Sequence, residues 1–294
     1  MKIAIFGNMY RDIIVSHIEM IINYLKNKDV KFLFNEKLYN LLEKSIDLKE
    51  TEIEIIQGND FSADLALSIG GDGTFLNTAS LVRDKQIPIL GINIGRLGFL
   101  ADVSDNTITK ALDAFLANDY IIEERTLLHV KTSDNSDLGH PFAMNEIAIL
   151  KQDSSSMISI NTSVNGEVVH TYQAVGLIVS TPTGSTAYSL SVGGPIVVPQ
   201  AQSFILSPVA SHSLNVRPLI IPDTWDIELE IFSRSNSYLI AVDGHSKVLD
   251  EKTKLRITKA DYTIKVVKQK DYTFFDTLKN KLMWGVDKRN APNP

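Results

Sequence analysis

Between Asp64 and Arg83 the chain passes from an apolar run, Asp64-Leu65-Ala66-Leu67-Ser68-Ile69, through Gly70-Gly71-Asp72-Gly73-Thr74, into a segment with Phe75, Leu76, Ala79 and Val82 at helical spacing. This pattern encodes a buried strand, a glycine turn and a helix over Thr74 to Arg83. Such a turn brings backbone N–H groups up to an anion. Glycine suits it because the chain is expected to take φ > 0 there and to let a ligand approach the backbone. Asp72 is the odd member. A carboxylate repels phosphate, so its position asks either for a metal ion or for a proton to be taken from a hydroxyl. The alternative is a plain tight turn with an acidic tip. The turn is not a Walker A loop, because no Gly-Lys-Ser/Thr follows, and it is not a Gly-x-Gly-x-x-Gly dinucleotide fingerprint.

The segments around this turn alternate between strand and helix. Lys2 to Gly7 reads as a strand rather than a signal peptide, since its apolar run is very short. Asp12 to Lys26 carries Ile14, Ile18, Ile21, Ile22 and Leu25 at helical spacing. Val30 to Phe34 and Glu52 to Ile56 read as strands, with a helix over Glu36 to Lys44. Ile87 to Ile92 is a further strand, and it opens the glycine-bearing stretch Gly91 to Leu100. Ser104 to Leu116 reads as a helix with Ser104 as N-cap. Strands alternating with helices predict a parallel sheet with ligands at the carboxyl ends of its strands, where Asp72 falls.

From about Glu124 the helical period gives way to short strands. These are Leu127–Thr132, Glu146–Leu150, Met157–Val164, Glu167–Tyr172, Gly176–Ser180, Asp226–Phe232, Tyr238–Val242, Lys254–Thr258 and Tyr262–Lys268. Asn165-Gly166 and Asp243-Gly244 are hairpin turn signals. A β-rich domain of sandwich type is expected. Phe274 to Trp284 reads as an amphipathic helix with Phe275, Leu278 and Leu282 inward. The expected division is an α/β domain over 1–123 and a β-rich domain over 124–271, with a C-terminal helix in 272–294 packing back on the first domain.

Two further stretches carry chemistry. Thr181 to Pro195 is rich in hydroxyls and glycine directly after an apolar strand. It is either a solvated loop or a polar cradle for ribose, amide and phosphate groups, with Tyr188 available to stack on a base. Asn145-Glu146 precedes another buried strand. It is either an ordinary strand entry or an amide–carboxylate pair that grips a vicinal diol. His129, His140 and His170 lack metal-ligand spacing and read as structural or surface residues, and His212 as a packing residue. His245 follows a hairpin turn that suits a site. Lys247 and Arg96 are candidates to offset phosphate charge. The net charge of −6 argues against nucleic acid as the main partner, and no apolar run is long enough to span a bilayer. The absence of cysteine fits a reducing cytoplasm.

These residues resemble the bacterial NAD kinase family over nearly the full chain. The resemblance is carried by the Gly-Gly-Asp-Gly-Thr turn, Gly91–Asp102, Asn145-Glu146, Gly176–Pro195, Ser211 to Leu214 with Arg217-Pro218-Leu219, Val242-Asp243-Gly244, and Leu278 to Gly285. It implies a Rossmann-like N-terminal domain and a β-sandwich-like C-terminal domain with NAD bound between them. It also implies phosphorylation of the 2′-hydroxyl of the adenosine ribose by ATP with a divalent metal, Mg²⁺ by preference, giving NADP. By that likeness Asp72 would accept the proton and Gly73 would sit against the phosphates. Asn145 and Glu146 would hold ribose hydroxyls. Thr186, Ala187, Tyr188, Ser189, Leu190 and Ser191 would line the NAD pocket, and His245 would supply a polar contact. The metal ligands are not read from the sequence, and a homodimer or homotetramer is implied.

One residue departs from the family pattern: Val175 stands where Asp usually precedes the glycine. Two other readings stay open on sequence alone. One is a lipid kinase sharing the glycine turn. The other is a catalytically silent NAD(H)-binding protein, which Val175 favours and Asp72 disfavours.

Overall fold

The computed structural model describes residues 1–8, 13–95, 98–152 and 156–284. Two compact units are formed: Met1–Glu124 together with the described part of Ile264–Pro294, and Arg125–Thr263.

The first unit is built on a parallel sheet. Its strands run in the order Ile89–Asn93, Leu65–Gly70, Lys2–Gly7, Lys31–Asn35 and Ile53–Ile56. Val266 adds a parallel rung to Ile89 at the edge of that order. Ile5 lies opposite Leu67, and Leu67 opposite Leu90. Every residue of Leu65–Gly70 is buried, as a strand covered on both faces requires, which is why the sequence there is apolar except at Ser68. In the helix Ile13–Leu25, the residues Ile14, Ile18, Ile21 and Leu25 are fully buried. Each such burial contributes roughly 1.5–3 kcal/mol. That exceeds the few tenths by which helix propensities differ among these residues, so packing fixes the helix face. The helix after the glycine turn spans Asp72–Val82, so Asp72 lies in its first turn.

The second unit is a sandwich. One sheet is antiparallel and ordered Leu219–Pro222, Ser203–Val209, Gly176–Ser180, Glu146–Lys151, Ser237–Val242 and His245–Asp250. The other includes Glu167–Ala174, Ile158–Val164, Ile227–Phe232 and the first part of Leu255–Lys268. One core cluster takes Ile147, Val179 and Ile240 from the first sheet and Ile160, Leu229 and Ile257 from the second. Burial along Ile158–Val164 alternates strictly, the mark of a strand with one face inward. Asn165 and Gly166 both have positive φ, as do Asp243 and Gly244, so both sequence signals produce two-residue hairpins.

The structure differs from the sequence expectations in places. Thr258 to Tyr262 does not interrupt a strand, because Leu255–Lys268 is continuous. Ala260 is buried there between exposed Lys259 and Asp261, and so small a side chain gives little hydropathy signal. Ser203–Val209 is a strand despite Pro208, which lies beyond the four residues paired with Leu219–Pro222. Ser104 ends a short strand, a 3-10 turn covers Asp105–Thr107, and the helix begins at Ile108. The hydroxyl of Ser104 meets that of Thr107 at 3.2 Å instead of capping a backbone N–H. The last helix, Phe274–Leu282, buries Thr277 and Leu278, whereas Phe275 and Leu282 are exposed. Asp12, Arg96 and residues 285–294, including Gly285, lie outside the described residues. Among the described residues no helix is long and apolar enough to cross a membrane.

Lys268, at the end of its strand, donates to Asp102 at 2.6 Å, and both side chains are only 9% exposed. Lys268→Met strands a buried carboxylate, so it is expected to lower unfolding free energy by about 3–5 kcal/mol in denaturant titrations. Adding Asp102→Leu is expected to restore most of the loss.

Candidate active site

Asp72 is held by the loop that follows the neighbouring strand. Its Oδ1 accepts the N–H groups of Leu100 at 3.0 Å and Ala101 at 3.2 Å, and its Oδ2 accepts that of Phe99 at 2.9 Å. Lys281, from the last turn of the C-terminal helix, reaches Oδ2 at 3.3 Å. The loop comes this close because residue 98 is glycine: a Cβ there would lie 2.0 Å from Asp72 Oδ1. The glycines on either side of Asp72 have a different reason. Gly71 has φ −116°, and none of the three in the turn takes the left-handed conformation expected from the sequence. A side chain on Gly71 or Gly73 would meet nothing within 4 Å. The head of the helix therefore faces open space, with bare backbone able to receive an anion.

In the second unit the same device recurs. Asp243, at the hairpin turn, accepts N–H groups from Met144 at 2.7 Å, Asn145 at 2.9 Å and Glu146 at 3.0 Å. The hydroxyl-rich loop closes over this segment. Thr181 donates its backbone N–H to the Asn145 carbonyl at 2.9 Å and its hydroxyl to the Met144 carbonyl at 2.6 Å. Gly184 packs so tightly that a Cβ would fall 2.0 Å from the Asn145 carbonyl oxygen. Asn145 and Glu146 are thus brought against the Thr181–Ser191 stretch on a fixed backbone. Glu146 takes a hydrogen bond from the N–H of Tyr188, yet its Oε2 is buried without a partner. An orphaned buried acceptor of this kind marks a place for a donor from outside the chain.

The hydroxyls of the loop divide into two groups. Ser185 and Ser189 are fully buried. Ser185 bridges to Val197 and Ser189 to Ser207 at 2.9 Å, so these two brace the loop from within. Thr186, Ala187 and Leu190 are partly exposed, and Tyr188 and Ser191 are exposed. His245 is exposed on the hairpin, with its ring 5.7 Å from that of His140. Lys247 donates to the carbonyl of Asp137, His129 stacks on Phe142, and the His170 ring meets that of Tyr172 edge-on. The N–H of His212 is donated to the Gln173 carbonyl. Sequence reasoning did not single out Asp243 or Lys281 as site residues. Asp243 was legible only as a turn residue, and Lys281 lies 209 residues from the carboxylate it meets.

Among the described residues no group of three or more His, Asp or Glu side chains is arranged to hold a metal ion. Asp72 offers one carboxylate, and both of its oxygens already accept hydrogen bonds. The donor set does not fit a divalent ion held by the protein itself.

Residues 3–120 match the family described as the ATP-NAD kinase N-terminal domain, and residues 144–269 match the ATP-NAD kinase C-terminal domain. An NAD kinase of Bacteroides fragilis is 50% identical over 289 residues, covering 98% of this chain and 100% of that protein. An NAD kinase of Cytophaga hutchinsonii is 40% identical over 292 residues, covering 99% and 100%. A crystal structure of an NAD kinase from Archaeoglobus fulgidus in complex with ATP superposes with a TM-score of 0.73 at 26% identity, over 96% of this chain and 98% of that one. Yeast NADH kinase complexed with NADH shares the fold, with a TM-score of 0.89 at 24% identity over 99% of this chain and 90% of that one. The chain belongs to the ATP-NAD kinase family.

Burial, and after it the nearby Asp243 carboxylate, pushes Glu146 up from 4.5 to about 7, against the pull of the Tyr188 N–H. Burial raises Asp243 as well, against the opposing pull of three N–H donors and His245. The unfolded chain releases the Glu146 proton near the ordinary value, so the stabilising contribution is complete below it and is lost as pH rises through about 7. Glu146→Gln cannot ionise. Its unfolding free energy relative to the parent is expected to grow steadily from about pH 4.5 to about pH 7.5, read from denaturant midpoints across that range.

Proposed function

We propose that the chain transfers the terminal phosphoryl group of ATP to the 2′-hydroxyl of the adenosine ribose of NAD, giving NADP. The reaction is that of the family to which it belongs. The observation that carries the local assignment is Asp72, a carboxylate at the head of a helix whose flanking glycines face open space. A ribose hydroxyl is a weak nucleophile at neutral pH. As its oxygen bonds to the γ-phosphorus, the bond from that phosphorus to the bridging oxygen breaks and ADP departs. The hydroxyl proton passes to Asp72.

Gly73 and the backbone around it receive phosphate. Asn145 and Glu146 hold ribose hydroxyls, a role supported by the partnerless Oε2 of Glu146. Thr186, Ala187, Tyr188, Leu190 and Ser191 line the NAD pocket, with Ser189 bracing it and His245 adding a polar contact. The ATP is expected to bring a divalent cation on its own phosphate oxygens, where the ion neutralises charge. A cytoplasmic, homo-oligomeric enzyme is the setting we assign, in keeping with a chain that has no cysteine.

Val175 gives the silent-binder reading its one support. It packs with Leu150, Val192 and Ala241 on an apolar cluster of Ala148, Ile178 and Val209. The amide of Gln173, the nearest polar substitute in sequence, is donated to Ser159 at 2.6 Å. A valine there accepts no hydrogen bond from a nucleotide.

Asp72→Asn is expected to lower kcat for NADP formation by roughly 10²–10⁴-fold, the usual worth of a positioned proton acceptor. A variant that turns over at the parent rate removes Asp72 from the mechanism. Val175→Asp is expected to lower the KM for NAD by up to about 100-fold. An unchanged KM means that Val175 has no bearing on nucleotide affinity, and a parent that binds NAD without turnover restores the silent reading.

A further inference from the structure

An ionised carboxylate offers about four acceptor positions, two on each oxygen. In Asp72 all four are taken: Leu100 and Ala101 on Oδ1, Phe99 and Lys281 on Oδ2. A hydroxyl that delivers its proton to this carboxylate must approach one oxygen within hydrogen-bond distance, so one donor has to leave. Oδ1 is closed, because its two donors belong to the loop backbone and Gly98 packs so near that a Cβ there would fall 2.0 Å from it. On Oδ2 the Phe99 N–H is equally fixed. Lys281 is the replaceable donor. Its contact is the longest of the four at 3.3 Å, its side chain is 31% exposed, and it ends a flexible four-carbon stem.

We propose that Lys281 is a positioning residue for the transfer reaction. It fills the Oδ2 position of Asp72 in the free protein and yields it to the acceptor hydroxyl. The inference rests on the reading of Asp72 as proton acceptor.

The surroundings suit a side chain that moves on a backbone that does not. Thr273 and Asp276 form a reciprocal cap at the start of the helix, and Leu278 is buried beneath it. The Phe274 ring packs against Phe99 with centroids 6.3 Å apart. Lys281 Nζ also lies 4.5 Å from the centroid of the Phe99 ring. When the hydroxyl arrives, the ammonium keeps this ring as a resting place and remains close to Asp72 without bonding to it. The Phe99 residue therefore holds both ends of the exchange: its N–H fixes Oδ2, and its ring retains the displaced cation.

The test compares two nucleotides, NAD and its analogue lacking the 2′-hydroxyl of the adenosine ribose, by calorimetric titration of the full chain without ATP. The readout is the ratio of the analogue's Kd to that of NAD. Only NAD competes with Lys281 for Oδ2, so Lys281→Met is expected to raise this ratio about two- to five-fold, the worth of one partly exposed ion pair. Lys281→Ala is expected to do the same, and Lys281→Arg, which keeps a donor, to leave the ratio at the parent value. A ratio that stays constant or falls in the Met and Ala variants overturns the proposal, as does an Arg variant that matches them. A general loss of nucleotide affinity moves both constants together and leaves the ratio unchanged. Failure here with turnover still abolished in Asp72→Asn rejects the role of Lys281 alone, whereas an active Asp72→Asn enzyme rejects the underlying reading.

Discussion

A carboxylate that accepts three successive backbone N–H groups is the constraint on which this protein depends twice. Asp72 ties down Phe99, Leu100 and Ala101, and Asp243 ties down Met144, Asn145 and Glu146. In each case an acidic side chain at the end of one element fixes a loop or strand entry contributed by another. Consecutive N–H groups that point the same way have no partners within a regular strand or helix, and leaving them unpaired in a partly buried place is costly. The acid therefore shapes the segment, and the segment holds the acid still. Asp72 thus has a fixed orientation before any ligand arrives, as a proton acceptor needs if the reacting atoms are to meet in line. Asp243 does the same for the Asn145–Glu146 pair.

Electrostatics then separates the two clusters. Asp72 is balanced by a lysine, so a triphosphate approaching the helix head does not meet an unanswered negative charge. Glu146 is paired with another carboxylate in buried surroundings, and at neutral pH its proton is held loosely. Burial, and after it the neighbouring Asp243 carboxylate, lifts Glu146 to about 7, whereas Asp72 is surrounded by three backbone donors and a lysine.

Much of the fold was legible because the strands of the first unit are buried on both faces and the helices between them keep a clean period. The runs around Leu67, Ile5 and Phe34 admit no other assignment of comparable economy. The glycine turn announced a site, and the spacing of Asn145-Glu146 and Thr181–Ser191 with it carried the family resemblance. What stayed hidden were relations between distant positions. Nothing local in the sequence marks Lys281 as the partner of Asp72, or separates Ser189, which turns inward to Ser207, from Ser191 two residues on. Phe275 and Leu282 looked like an inward face because helical spacing cannot tell a short helix how far to rotate when Phe274 has a ring to pack against. Pro208 and the serines near it masked a strand whose place is fixed by its neighbours.

The first unit is assembled from two segments of chain separated by the whole of the second. The edge of the strand Ile89–Asn93 is completed by a rung to Val266, and the lysines that answer Asp102 and Asp72 come later still. On the ribosome, that edge and both acids must wait while Arg125–Thr263 is made. The nascent chain therefore carries an unfilled rung at Ile89 and two carboxylates without their lysines through that interval.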